Sequence, residues 1–210
     1  MKISLFSRLL PGRVLGLAAL AMAPAAQAAP YDTLDPVQPS DTPGKVEVLE
    51  FFFYTCPHCD RIEPLVEKWR KTLPDDVVFK SVPVAFNASM RDMQKLYYTL
   101  EALDRLDLHP QVFKAIHEQG KDLTQAKGII DWAVGQGLDR QVFTDTFNSF
   151  GVQTKVVRAD ELTKSYRIEG TPTLAIGGRY LTSPSNTGTY QGAIDEADKL
   201  VKQVLAQHGG

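Results

Sequence analysis

Residues 46–54, Val-Glu-Val-Leu-Glu-Phe-Phe-Phe-Tyr, place apolar side chains at consecutive positions where a strand with one wet face would alternate them. Such a strand suits burial on both faces, in a sheet covered above and below. Directly after it the period changes. From Cys56 onward, Ile62, Leu65, Val66, Trp69 and Leu73 recur at helical spacing until Pro74, with Thr55 placed to cap the helix. Residues 77–84 read as a second strand. Strand, helix and strand within about 40 residues make a βαβ unit, whose strands are parallel and whose crossover is right-handed.

The middle of the chain has no convincing strand. Met93, Leu96, Tyr97, Leu100, Leu103 and Leu106 mark one amphipathic helix, and Val112, Phe113 and Ile116 begin another. Ile129, Ile130, Ala133 and Val134 mark a third, and Val142, Phe143, Phe147 and Phe150 a fourth. Val152, Val156, Ala159, Leu162 and Tyr166 then lead back to β structure. Residues 173–176 and 179–181 flank Gly177-Gly178, a pair that permits the positive φ of a tight hairpin. A final helix is expected over 193–207. Phe51, Phe52, Phe53 and Trp69 are expected in the core, and His109 and His117 on the surface without a role.

Residues 1–28 read as a secretory signal peptide. Lys2, Arg8 and Arg13 precede a small and apolar run over 14–23, and Ala26-Gln27-Ala28 offers small residues for cleavage. The run is well short of the ~20 apolar residues that span a bilayer. Its removal strips three positive charges and takes the net charge from −2 to −5. With 23 basic against 25 acidic side chains and no run of five like charges, nothing favours nucleic acid as a partner. Residues 29–45, rich in Pro, Asp, Thr and Ser, read as an extended N-terminal segment with no core of its own.

An exported chain folds where disulfides form, and this one has two cysteines, too few for a disulfide scaffold or a zinc ribbon. They are spaced C-x-x-C, as Cys56-Pro57-His58-Cys59. A bridge closing so short a loop restrains little of the unfolded chain, so stability is a poor reason for the pair. Reactivity is a better one. Cys56, where strand gives way to helix, faces unpaired backbone N–H groups and the positive end of the helix dipole, which favour thiolate and mark it as the nucleophile. Pro57 suits the first helical position, where its missing N–H costs nothing. His58, protonated or donating a hydrogen bond, adds stabilisation of the anion. Cys59, one turn on and under the helix, is the resolving thiol. A stabilised thiolate makes the corresponding disulfide a stronger oxidant, which argues for a disulfide donor over a reductase. Haem attachment needs His directly after the second Cys, where this chain has Asp60. A closed metal site needs a fourth ligand, and His109, His117 and His208 show no spacing pattern toward the pair.

Three features together resemble the DsbA family of bacterial periplasmic thiol:disulfide oxidoreductases. They are Val48-Leu49-Glu50-Phe51-Phe52 leading into the Cys-Pro-His-Cys tetrad, the helical block, and Gly170-Thr171-Pro172 before the hairpin. The resemblance covers essentially the whole chain after residue 28. It implies the α/β class, a thioredoxin-like fold with an inserted all-helical subdomain. Residues 46–86 and 151–210 would then be the two parts of the thioredoxin-like domain, and 87–150 the insertion. It further implies that Thr171-Pro172 is a cis-proline loop that lies against the cysteines and binds the substrate backbone, with the Thr171 hydroxyl tuning potency. Glu50 would be a proton relay beneath Cys59, faced by Lys80 or Ser81. Residues 183–190 are small and polar, and could border a peptide groove.

The expected function is donation of the Cys56–Cys59 disulfide to reduced exported proteins in the periplasm. The protein would act as a monomer without cofactor or metal, and be reoxidised by a membrane quinone reductase resembling DsbB. A disulfide isomerase or reductase is the alternative within the same chemistry, although family isomerases carry a dimerisation domain that residues 29–45 cannot supply. A Cys/His metal-binding chaperone is the alternative of another class.

Overall fold

The computed structural model describes residues 29–208, so the expected signal peptide lies outside the described residues. At the centre is β2 (Val46–Phe52), buried at every position. On one side it pairs in parallel with β3 (Val77–Pro83), Val46 opposite Val77 and Phe52 opposite Pro83, and α1 (Pro57–Arg70) makes the crossover. On the other side it pairs antiparallel with β4 (Thr173–Ile176), which turns into β5 (Tyr180–Thr182). The two-residue β1 (Asp32–Thr33) completes the order β1-β5-β4-β2-β3.

Six further helices of at least eight residues follow or precede the hairpin: α2 (Arg91–Ala102), α3 (His109–His117), α4 (Ala126–Gly135), α5 (Arg140–Phe147), α6 (Phe150–Ser165) and, after the short α7 (Pro184–Thr187), α8 (Tyr190–His208). The full burial of β2 has a simple cause: it feeds two cores. Val46 and Val48 pack with Ile62, Val66 and Trp69 of α1 and with Ala197, Leu200 and Val201 of α8. Leu49, Phe51 and Phe52 pack with Leu96, Val112, Phe113, Phe143, Val156 and Leu162, so the helical block shares its core with the sheet. Phe51, Phe52 and Trp69 are buried as expected, while Phe53 is only partly so.

Several expectations need correction. The first strand stops at Phe52, and Phe53-Tyr54-Thr55 turn toward the helix, closed by the Cys56 N–H donating to the Phe53 carbonyl at 3.0 Å. That turn makes Cys56, not Thr55, the residue at the helix cap, and no side chain caps it. Phe150 belongs to α6, where Ser149 caps the helix by accepting from the Val152 N–H, and its ring points into solvent at 86% exposure. Val142 is exposed too. The last helix begins at Tyr190, three residues before its expected start.

The N-terminal segment is also more than a lead-in. β1 covers the edge of β5, and Leu34 is buried in the main core. The Leu34 N–H donates to Arg179 at 2.7 Å and the Gln38 N–H to Gly178 at 2.8 Å. Gly177 and Gly178 take the positive φ values, 59° and 69°, that the hairpin requires. A Cβ on Gly178 would also lie 2.1 Å from the Gln38 carbonyl oxygen, which is backbone and cannot swing away. Gly178→Ala should therefore cost about 2 kcal/mol or more, left-handed strain and displaced backbone together. Urea denaturation measures it, and a loss below about 0.5 kcal/mol, the scale of an ordinary surface change, would show that the segment is not clamped there.

Candidate active site

The turn after β2 delivers Cys56 to the start of α1, with Pro57 in the first helical turn. The Cys56 sulfur is half-buried, and as a thiol it donates to the Thr171 carbonyl oxygen at 3.4 Å across 115 residues of sequence. Thr171-Pro172 is a cis peptide, and Pro172 is buried beside the cysteine pair. Both cysteines are free thiols here, Cys59 being buried.

Their environments push them in opposite directions. The hydrogen bond from the Cys59 thiol, the Thr171 side chain, and the backbone N–H groups of Cys59 and His58 together outweigh partial burial and bring Cys56 down to about 5. Cys59 is pushed far upward, first by burial and then by its bond to Cys56 and by the Cys56 charge. The reduced pair thus holds one thiolate and one thiol at neutral pH. Thiolate absorbance near 240 nm should titrate with a midpoint of about 5 in the reduced protein, and a midpoint above about 7, nearer the ordinary thiol value, would contradict this arrangement. A depressed folded pKa adds stability to the reduced form that is complete above the unfolded thiol value and is lost as pH falls through about 5. Glu50 carries the opposite sign: its pKa is raised, so its contribution is lost as pH rises through its folded value. The spectrum is accordingly a cleaner measure than global stability.

His58 reaches the thiolate by a different route from the one expected. Its imidazole is exposed and its Nδ1 lies 2.7 Å from the Tyr190 hydroxyl at the start of α8, while its backbone N–H acts on Cys56. Tyr190 carried no mark in the sequence beyond its place in the polar segment. That segment does border a groove: Ser183, Asn186 and Tyr190 line a cavity of about 690 Å³ together with His58, Thr171 and Pro172.

Glu50 is fully buried, and the parallel register puts Ser81 opposite it, donating its hydroxyl to Glu50 Oε2 at 2.8 Å. Lys80 points the other way, onto Glu47 and Thr42. Burial above all, and then the charge of Glu63, raises Glu50 well above the usual carboxylate range. The two histidines assigned to the surface are not there. His109 is buried with Nδ1 2.7 Å from the Tyr54 hydroxyl, and half-buried His117 bonds through Nε2 to the Tyr54 carbonyl oxygen at 2.8 Å. The signal was present, since His109, Phe113 and His117 stand at i, i+4 and i+8 on the apolar face of α3. Among the described residues no group of three or more His, Cys, Asp or Glu is placed to hold a metal ion, and no helix is long and apolar enough to cross a membrane.

Residues 47–195 match the DSBA-like thioredoxin domain family. The thiol:disulfide interchange protein DsbA of Bordetella pertussis is 53% identical over 207 residues, covering 97% of this chain and 99% of the relative. The protein of that name from Burkholderia cepacia is 41% identical over 197 residues, 90% of this chain and 92% of the relative. Among solved structures, Pseudomonas aeruginosa DsbA superposes with a TM-score of 0.83 at 32% identity, over 87% of this chain and 95% of that one. The oxidoreductase NmDsbA1 from N. meningitidis gives 0.77 at 28%, over 89% and 96%. A thioredoxin-like fold, a C-x-x-C pair at the head of its first long helix, and identity along nearly the whole length lead to one conclusion: the chain belongs to the DsbA family of thiol:disulfide oxidoreductases.

Proposed function

We propose that this oxidoreductase works as a disulfide donor to exported proteins in the periplasm. The observation that carries the reading is the split between the two sulfurs, Cys56 down to about 5 and Cys59 far upward. A reduced form stabilised in this way makes the disulfide readily given up. A substrate thiolate attacks Cys56, the Cys56–Cys59 bond breaks, and Cys59 leaves as a thiolate that takes a proton. A second substrate thiolate attacks the substrate sulfur of the mixed disulfide and releases Cys56 as a thiolate. Two electrons have passed from the substrate dithiol to the cysteine pair.

In this reading Pro57 starts the helix that polarises Cys56, and His58 supplies its backbone N–H. The Thr171 and Pro172 backbone receives the substrate chain beside the sulfur, and Glu50 relays the Cys59 proton. Residues 46–86 and 151–210 form the thioredoxin-like unit around the insertion at 87–150, after a signal peptide at 1–28. The protein acts as a monomer and a membrane quinone reductase resembling DsbB reoxidises it. Equilibration against glutathione redox buffers, with metal analysis of the same sample, tests the whole. A strongly oxidising equilibrium without metal is expected. A strongly reducing couple would sink the donor role, and stoichiometric copper or zinc would favour a metal chaperone.

A further inference from the structure

Beneath the cysteines lies a group of buried ionisable side chains larger than the exchange of one thiol requires. Glu63 follows Cys59 by one helical turn on the buried face of α1, and Glu50 lies on β2 below it. His109 Nε2 is 3.5 Å from Glu63 Oε1, and both residues are buried. Glu50 Oε1, Glu63 Oε1 and His109 Nε2 are all buried without a hydrogen-bond partner. Three such atoms together are unusual, because each is costly to bury unless a proton or a water is shared among them.

The surroundings make His109 the group that can supply a proton there. Phe52, Tyr54, Tyr97 and Phe113 surround its ring with centroids 5.0–5.3 Å away and exclude water. The titratable groups facing it are Tyr54 from the turn after β2, Glu63 from α1 and Tyr97 from α2; Glu50 acts through Glu63, and His117 of its own helix is occupied by the Tyr54 carbonyl. Among the described residues no lysine or arginine pairs with Glu50 or Glu63, and Arg70, whose charge reaches Glu50, is paired with Glu67 at 2.8 Å. Tyr54, held as a neutral phenol by burial, can accept from Nδ1–H through its hydroxyl oxygen, so a doubly protonated ring can give its Nε2 proton to the carboxylate and remain a neutral Nδ1–H imidazole.

We propose that His109 is a positioning residue for the redox reaction: its Nε2 exchanges a proton with the Glu63 carboxyl and so sets how many protons the Glu50–Glu63 pair holds when Cys59 gains or loses one. The inference rests on the exchange chemistry proposed for Cys56 and Cys59. When the disulfide opens, the proton that neutralises the Cys59 thiolate leaves the carboxyl pair, and the imidazolium form of His109 replaces it through Glu63, leaving the ring as the neutral Nδ1–H imidazole. No electrons move at the imidazole. On reoxidation the Cys59 proton returns by the same path.

The test uses the full protein with ¹⁵N-labelled histidine, compared by NMR in the oxidised and dithiothreitol-reduced forms across pH. The Nε2 resonance of His109 should report a different proton occupancy in the two forms, and the same occupancy at every pH would overturn the proposal. His109→Gln supplies the kinetic arm, with a glutathione mixed disulfide on Cys56 and release by Cys59 followed against pH. Release should slow by at least about tenfold near neutrality, because Cys59 must give up its proton to attack and a positioned proton acceptor contributes at least that much, and its pH profile should lose one titrating group. The Cys56 thiolate midpoint should stay where it is. An unchanged pH profile in a folded variant would reduce His109 to a packing role. If the variant does not fold, the labelled wild type decides alone. A wild-type protein that shows the His109 change but cannot oxidise a dithiol peptide would leave this inference standing and remove the donor reading.

Discussion

Replacing Cys56 with serine should abolish disulfide exchange, whereas replacing Cys59 should turn the protein into a trap. The two cysteines are three residues apart but chemically opposite, because Cys56 is half-buried among hydrogen-bond donors and Cys59 is enclosed. At pH 6 the thiolate fraction at Cys56 exceeds that of an ordinary thiol by roughly 300-fold. The weaker nucleophilicity of a low-pKa sulfur takes back roughly 40-fold, leaving an advantage of about tenfold in rate. Cys59 has neither the anion nor the access. Iodoacetamide at pH 6 should therefore label reduced wild type once, at Cys56, and leave a folded Cys56→Ser variant essentially unlabelled. Incubated with a disulfide-containing peptide, Cys59→Ser should accumulate a covalent adduct on Cys56, because no internal thiol is present to release it. Mass spectrometry reads both results. Labelling at Cys59 in the folded Cys56→Ser variant would overturn the assignment of roles.

Truncating Phe52 to alanine should be the most damaging change outside the cysteines. Its ring lies 5.1 Å from Tyr54, 5.4 Å from Tyr97, 5.0 Å from His109 and 6.0 Å from Phe113, joining the end of β2 to α2, α3 and the turn before Cys56. Loss of a fully buried phenylalanine costs about 3–5 kcal/mol, against a total that for most domains is about 5–15 kcal/mol. The melting temperature should fall by about 10 °C. Phe52→Leu, which keeps most of the volume, should lose less than half as much. A calorimetric scan of both proteins decides the matter: equal losses would mean that the position tolerates rearrangement and that the ring cluster does not hold the helical block to the sheet.

Much of this could be read before any coordinates. The unbroken apolar character of residues 46–54 required cover on both sides, which the two cores provide. Gly177-Gly178 announced its hairpin, and the C-x-x-C pair at a change of period announced the reactive turn. The misreadings share one cause. Periodicity tells which face of an element is apolar, but not whether a polar residue on that face finds a buried partner. Histidine is more often at the surface, where the pattern alone places His109, yet Tyr54, 55 residues earlier, gives it a buried partner. Glu50 had two candidate partners, Lys80 and Ser81, and only the pairing register of β2 with β3 selected the serine.

The sequence by itself determined that a strand and a helix meet at Cys56, and that this meeting point carries two thiols and a helix-starting proline. Those are local properties, set by side-chain period, dihedral preference and the orphan N–H groups of a helix end. Tertiary structure alone decided what surrounds the thiols: the Thr171 carbonyl 115 residues away, the Tyr190 hydroxyl on His58 132 residues away, and the buried carboxylates and histidine below. Desolvation and hydrogen bonding act over a few ångströms in space, so the groups that separate Cys56 from Cys59 in reactivity are found only once the chain has closed around them.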